Sequence, residues 1–369
     1  MKKETKQASS PSPGLANHKK PSIKDIANEA GVTISTVSHV LNKSKFVTPT
    51  TAKKVRSVVE KLGYRPNKIA RSLRTQSTEA VGVIVPDLKN PFYAIIIQEM
   101  ERVARQRGYT LILGCTFFDL DEEKHQMQIL IDQFADGLIF FGGYDCVENL
   151  QFVRDLDIPI VAVDREVEDT SIPSVLTDNV SACAMAVDHL ASVGHREIGY
   201  VTFSYDRHTV VRRRLEGFKL GLERNGLDYN PKYVLIDDST KLRETVGTYE
   251  TAMDYFSDKP LPSAFVTLSD NFAYGLIRAL EELGYAVPED VSVIGFCDNK
   301  IGDIYKPRLT TVVQNMELMG EKGMSMLIDL IEEKRHVDTR VVLQAELLKR
   351  DSVLPPKATT KVYTSEEKP

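Results

Sequence analysis

Residues 23–42 read IKDIANEAGVTISTVSHVLN, residues 51–74 read TAKKVRSVVEKLGYRPNKIARSLR, and these two runs decide how the amino-terminal part of the chain folds. Ser22 stands three residues before Asp25, the spacing of a capping box, and Ile23, Ile26, Ala27 and Ala30 then fall on one helical face. Gly31 can take the left-handed conformation that ends this helix, and Thr33 can cap a second one with Val37, Val40 and Leu41 turned inward. Two short helices joined by a glycine-containing turn make a helix-turn-helix. Thr48-Pro49 reads as the cap and first turn of a third helix, with Val55, Val58, Val59 and Leu62 buried and Gly63 ending it. Residues 20–64 are thus expected to form an all-α headpiece around one small core.

In a helix-turn-helix the second helix enters the major groove of DNA with its amino-terminal residues toward the bases. Its outward positions here are Ile34, Ser35, Thr36, Ser38, His39 and Asn42. Hydroxyls and an imidazole can exchange hydrogen bonds with base edges and phosphates, and Ile34 can press a thymine methyl. Residues 65–78 follow as a hinge. Asn67 can cap a helix of little more than two turns, too short to stand alone in water. Leu73 sits between Arg71 and Arg74, so it suits a wedge between minor-groove base steps better than a core, although a linker with a stray leucine would read the same way.

Charge separates this region from the rest. Residues 1–78 hold 16 Lys and Arg against 4 Asp and Glu, so the net −5 of the chain divides into +12 there and −17 over the remaining 291 residues. A basic module on an acidic body is the footprint of a protein that meets a polyanion at one end. A solvated basic tail would explain Lys2 to Lys20 but not the patterned part; residues 1–19 lack apolar periodicity and are expected to be disordered. The four cysteines (Cys115, Cys146, Cys183 and Cys297) form no CxxC pair, against a zinc site or a disulfide framework. The lysines at the start lead into Ser, Pro and Asn instead of an apolar run, and no stretch approaches a membrane span, so a cytoplasmic location with no membrane partner is expected.

From residue 79 short apolar runs alternate with helical patterns. Strands are expected at 80–85, 110–115, 137–141 and 160–163, then at 198–202, 234–236, 264–267 and 291–295. Such alternation means βαβ units and parallel sheets, and the eight strands divide into two doubly wound groups of four near residue 178. An α/β enzyme handling a small molecule, with a basic appendage, is the rival reading. A nucleotide-binding enzyme, however, would carry a glycine-rich loop after its first strand, where this chain has Pro86-Asp87-Leu88-Lys89-Asn90-Pro91-Phe92. Neither HExxH nor GxSxG occurs. Gly194-His195-Arg196 fits a helix end and turn, and Asp237-Asp238 lies in a polar stretch, so no catalytic residue and no metal site are expected.

The two quoted runs resemble the headpiece and hinge of the lactose-repressor/galactose-repressor (LacI/GalR) family of bacterial transcription regulators, and the likeness extends from about residue 21 to about residue 353. The resemblance implies a sequence-specific regulator, the expected partners being double-stranded operator DNA, a second copy of the chain and a small-molecule effector such as a sugar or related metabolite, with no cofactor. It assigns base reading to Ile34, Ser35, Thr36 and His39, supported by Asn42 and Lys45, and minor-groove insertion to Leu73, with Ile69 and Ala70 packing on a partner hinge and Arg71 and Arg74 beside them. It implies a body of two periplasmic-binding-protein-like lobes, about 79–178 plus 313–342 and about 179–312 plus 343–353, before a polar tail at 354–369. That tail lacks leucine heptads, so a dimer is expected rather than a coiled-coil tetramer.

Ligand contacts implied by the same resemblance fall on Phe92 and Tyr93, on Arg214 in Arg214-Leu215-Glu216-Gly217-Phe218, and on Asp178, Ser269 and Asp270. Phe92 could equally start a helix as plain core, and Asp270 could be a helix cap. One departure stands out: the family's Gly-Phe-Asp appears as Gly295-Phe296-Cys297-Asp298. A weakly hydrogen-bonding thiol replaces a carboxylate. Either Asp298 rotates in as the substitute for Cys297, or the ligand is smaller, more acidic or more apolar at that point.

Overall fold

The computed structural model describes residues 21–42, 45–64, 77–141, 147–167, 171–203, 208–237, 245–257, 259–334 and 338–357. The positions assigned to the hinge, Ile69, Ala70, Arg71, Leu73 and Arg74, lie outside them, as does the segment 1–19. The chain forms two compact units, Met1–Thr78 and Glu79–Pro369.

The first unit contains α1 (Ile23–Ala30), α2 (Ile34–Asn42) and α3 (Pro49–Leu62). Ser22 and Asp25 form the full capping box, and Gly31 ends α1 at φ 60°. Thr33 caps α2 by accepting from the Thr36 backbone N–H at 3.1 Å. Thr48 departs from expectation: its hydroxyl bonds Thr51 Oγ1 at 2.9 Å and caps no backbone group, so Pro49 alone marks the start of α3. Ile26, Ala27, Ala30, Val37, Val40, Val55 and Val58 make the core of this unit, and Lys61 pairs with Glu29 across its surface.

The second unit has two six-stranded sheets. The first comprises β1 (Ala80–Val85), β2 (Thr110–Cys115), β3 (Gly137–Phe141), β4 (Ile160–Val163), β5 (Ser174–Thr177) and β11 (Arg340–Leu343) in the order β11-β5-β4-β3-β1-β2, all parallel. The second comprises β6 (Ile198–Phe203), β7 (Val234–Asp237), β8 (Ala264–Thr267), β9 (Ser292–Cys297), β10 (Thr310–Val313) and β12 (Glu346–Leu348) in the order β12-β10-β9-β8-β6-β7. Only β12 runs antiparallel to its neighbour. The chain therefore crosses between lobes three times, at 178, 314–315 and 344–345.

Each sheet has four strands more apolar and two less so, which corrects the expectation of four strands per lobe. β5 and β10 are rich in Ser and Thr, and β11 and β12 are half-exposed edges. An edge strand buries less than a central one, so it need not be apolar throughout. The buried hydroxyls of β10 are satisfied: Thr310 Oγ1 accepts from the Arg350 N–H at 2.9 Å, and Thr311 Oγ1 donates to Asp270. Helices cover both faces. In lobe one α4 (Pro91–Gln106) and α11 (Met316–Ile331) pack on one face, and α5 (Leu120–Asp132) and α6 (Val147–Arg154) on the other. In lobe two α7 (Asn179–Val193) and α8 (Thr209–Arg224) oppose α9 (Thr245–Phe256) and α10 (Asp270–Glu282). Gly217 lets α8 press on α7, because a Cβ there would collide with the Val180 carbonyl. The final described residues are not a free tail: Leu354 O accepts from His195 Nε2 at 2.9 Å and from Ser292 Oγ at 3.1 Å. His195 thus serves packing, beside the left-handed Gly194 that ends α7.

Candidate ligand cleft and recognition helix

On α2, Ile34 is 47% exposed, and Ser35 and Asn42 are exposed with it. Ser35 Oγ lies 3.2 Å from His39 Nε2, and Asn42 Nδ2 donates to Ser38 Oγ at 3.2 Å. These i,i+4 pairs hold the polar side chains in a row along the outward face, next to half-buried Thr36. Lys45 and Phe46 follow the helix, both exposed.

In the second unit a cavity of about 130 Å³ lies between the lobes at the carboxy-terminal ends of the strands. Open parallel sheets bind ligands there. Asn90 caps α4 by accepting from the Phe92 N–H at 3.0 Å and so delivers Phe92 and Tyr93 to the cleft. Phe92 is both core and lining: it is 7% exposed and meets Tyr93 edge-on at 5.3 Å. Phe203 and His208 stand edge to face at 4.9 Å on the opposite lobe. Phe118 joins them from a turn in which Phe117 and Phe118 both have positive φ, at 51° and 61°. Two such residues together are strained, and strain of this kind collects at functional sites.

Arg214 forms the floor. It is 5% exposed and stacks on Phe296 at 3.7 Å. Its Nε donates to Asn179 Oδ1 at 2.8 Å, Nη1 to Leu268 O at 2.7 Å and Nη2 to Gln314 Oε1 at 3.2 Å. Asn179 and Gln314 lie at two of the three crossings, so the arginine is fastened to two of the segments that connect the lobes. Gln314 also donates to Thr177 Oγ1 at 2.9 Å and accepts from Cys297 Sγ at 3.2 Å. Burial pushes the Cys297 thiol up to about 12, so it is a neutral group at physiological pH.

Asp164, at the end of β4, is the residue that sequence reasoning missed with most consequence. It is 7% exposed, and its Oδ1 has no hydrogen-bond partner among the described residues. Burial raises its pKa to about 6 although Arg214 and Gln314 pull it down. A buried acceptor without a donor is costly unless a ligand supplies one. Arg165 beside it stacks on Phe140 at 4.1 Å and approaches Glu123, so its charge is absorbed by lobe one. The signal for Asp164 was present as a polar pair directly after an apolar strand; Gln314 follows a strand that apolar periodicity does not mark.

Five of the eight ligand positions named from sequence line this cavity: Phe92, Tyr93, Arg214, Ser269 and Cys297. Three do not. Asp178 caps α7, accepting from the Ser181 N–H at 3.0 Å, and borders a separate cavity of about 230 Å³. Asp270 is buried behind the cleft, where it accepts from Thr311 Oγ1 at 2.6 Å and from the Asn299 N–H; burial lifts its pKa to about 7. Asp298 is held by Arg350 Nη2 at 2.8 Å and Lys300 Nζ at 2.5 Å. Burial alone would raise its pKa, but these two cations leave it below the usual value. In this arrangement Asp298 is committed to these two cations and does not occupy the place of Cys297.

The family model for bacterial regulatory proteins of the lacI family matches residues 22–67, and that for the periplasmic binding protein-like domain matches residues 187–353. The chain is 35% identical over 333 residues to the HTH-type transcriptional regulator RegA of Clostridium saccharobutylicum, covering 90% of this chain and 99% of that one. The chain belongs to the LacI family. Among solved structures, the lac repressor dimer bound to operator and the anti-inducer ONPF matches with a TM-score of 0.81 and 25% identity, over 91% of this chain and 100% of that one. A complex of the transcriptional regulator CelR with cellobiose matches at 0.67 and 27% identity, over 90% and 99%. LacI-family proteins are DNA-binding regulators and not enzymes, which removes the rival enzymatic reading. Among the described residues of this LacI-family chain no helix is long and apolar enough to cross a membrane, and no group of three or more His, Cys, Asp or Glu could hold a metal ion.

Proposed function

We propose that this LacI-family chain is a repressor that binds a two-fold symmetric operator as a homodimer and answers a small-molecule effector, a sugar or related metabolite, held between its lobes. Ile34, Ser35, Thr36 and His39 read base edges in the major groove, with Asn42 and Lys45 toward the backbone. Leu73 wedges the minor groove, flanked by Arg71 and Arg74, while Ile69 and Ala70 pack on the second hinge. Phe92, Tyr93, Arg214, Ser269 and Cys297 contact the effector, and Asp164 takes a hydrogen bond from it.

The observation that carries the sensing role is the unsatisfied Oδ1 of Asp164 in an aromatic-walled cleft whose arginine is tied to two lobe crossings. A ligand that fills the cleft favours one lobe angle, and an angle that favours or disfavours operator contact makes the two affinities reciprocal. The test is fluorescence anisotropy on palindromic and scrambled duplexes, with a panel of sugars and sugar acids added. A preference for the palindrome that at least one compound alters supports the reading; equal affinity for both duplexes at physiological salt defeats it.

A further inference from the structure

The lobes are also joined by a contact between side chains, beside the first crossing. Glu166, just after β4 of lobe one, accepts from Arg213 Nε at 2.8 Å and Nη2 at 3.3 Å, and Arg213 lies on α8 of lobe two. The same carboxylate accepts from Arg340 Nη2 at 2.7 Å, and Arg340 is on β11 of its own lobe. Arg213–Glu166 is an ion pair that spans the two lobes. Glu166 lines the ligand cavity and also the cavity of about 230 Å³ on its far side, so the carboxylate is the wall between them. Arg213 is anchored a second time by Glu216 at 3.0 Å, one helical turn on.

We infer that Glu166, steadied by Arg340 and gripped by Arg213, is a latch that holds the lobes closed over the cavity. The geometry suits that work. Arg340 fixes the carboxylate within lobe one before closure, and Glu216 fixes the guanidinium within lobe two, so little side-chain freedom is lost when the bidentate contact forms. Burial would raise the Glu166 pKa, yet the two arginines keep it below the ordinary value, so the carboxylate stays charged at neutral pH. All three side chains reach solvent, and salt therefore weakens the latch. Its consequence for sensing, slower escape of a bound effector, rests on the reading of the interlobe cavity as the effector site; the latch itself does not.

Cys297 gives a readout that needs no ligand, because its thiol lines the cavity behind the latch. The full chain is used with Cys115→Ser and Cys146→Ser; Cys183 stays buried in the core of lobe two. The rate of labelling by a polymer-tagged maleimide reports opening. Raising KCl from about 0.05 M to about 0.5 M should speed labelling of Cys297 several-fold. Glu166→Gln and Arg213→Gln should each speed it about fivefold at low salt, the weight of a half-exposed bidentate pair, and abolish the salt response. Arg340→Gln, which cuts a contact inside one lobe, should do less. Unchanged rates in a folded Glu166→Gln or Arg213→Gln protein overturn the latch, as does an Arg340→Gln effect larger than that of Arg213→Gln. Arg213 is a surface residue, so its variant remains informative should Glu166→Gln misfold. Operator binding by the same preparations is a separate readout, and its loss would defeat the DNA-reading role without bearing on the latch.

Discussion

Asp164 shows how a single residue trades stability for binding. Its folded pKa of about 6 stands above the ordinary 3.8 because burial penalises the charge. The folded state therefore holds the extra proton between those values, and stability falls as pH rises through that window. Asp164→Asn should stabilise the protein at pH 8 by on the order of 1–3 kcal/mol, with the gain shrinking as pH falls toward 4. Calorimetric melts across that range check it; a destabilised variant would mean that the contacts with Gln314 and Arg214 outweigh the cost of burying the charge. The same change should weaken effector binding at least tenfold, the loss of a charge-assisted hydrogen bond. Cys297→Asp restores a carboxylate facing Gln314 and Arg214, and titration calorimetry against sugars and sugar acids should show a changed preference; an unchanged profile removes Cys297 from ligand contact.

At the scale of elements, the proposed function gives base reading to α2 and anchoring to the hinge. The core of the three-helix unit has only seven buried residues, so one large cavity matters: Ile26→Ala should cost about 2–5 kcal/mol and unfold the small unit. A circular-dichroism melt would then lose its headpiece contribution, and DNA binding would go with it. Leu73→Ala should instead weaken specific binding and reduce DNA bending while leaving that unit folded. Retained bending would refute the wedge. The helices were legible because each has a local start and stop, Ser22 with Asp25, Gly31, Pro49 and Gly63. Thr48 was misread because cap chemistry depends on rotamer and neighbour, here Thr51, as well as on residue type.

For the molecule as a whole, charge asymmetry predicts a steep salt dependence. The logarithm of operator affinity should fall linearly with the logarithm of salt concentration, with a slope near −0.9 for each phosphate neutralised. A form beginning at Thr78 should bind no DNA yet keep its response to effector. A salt-insensitive intact protein would show that the +12 segment does not meet phosphate.

The sequence by itself determined what periodicity, caps and charge encode: the three-helix unit, the parallel α/β lobes and the positions of Phe92, Tyr93, Arg214, Ser269 and Cys297. Those signals are local, or come from a resemblance carried by short motifs. Only the tertiary structure decided which acids face the cleft. Asp164 does, while Asp178, Asp270 and Asp298 are taken by Ser181, Thr311 and Arg350. It also placed the less apolar strands β5, β10, β11 and β12, and brought Glu166 to Arg213 across 47 residues of chain. The reason is physical: a carboxylate's role depends on which distant donor or cation folding delivers to it, and no local pattern records that partner.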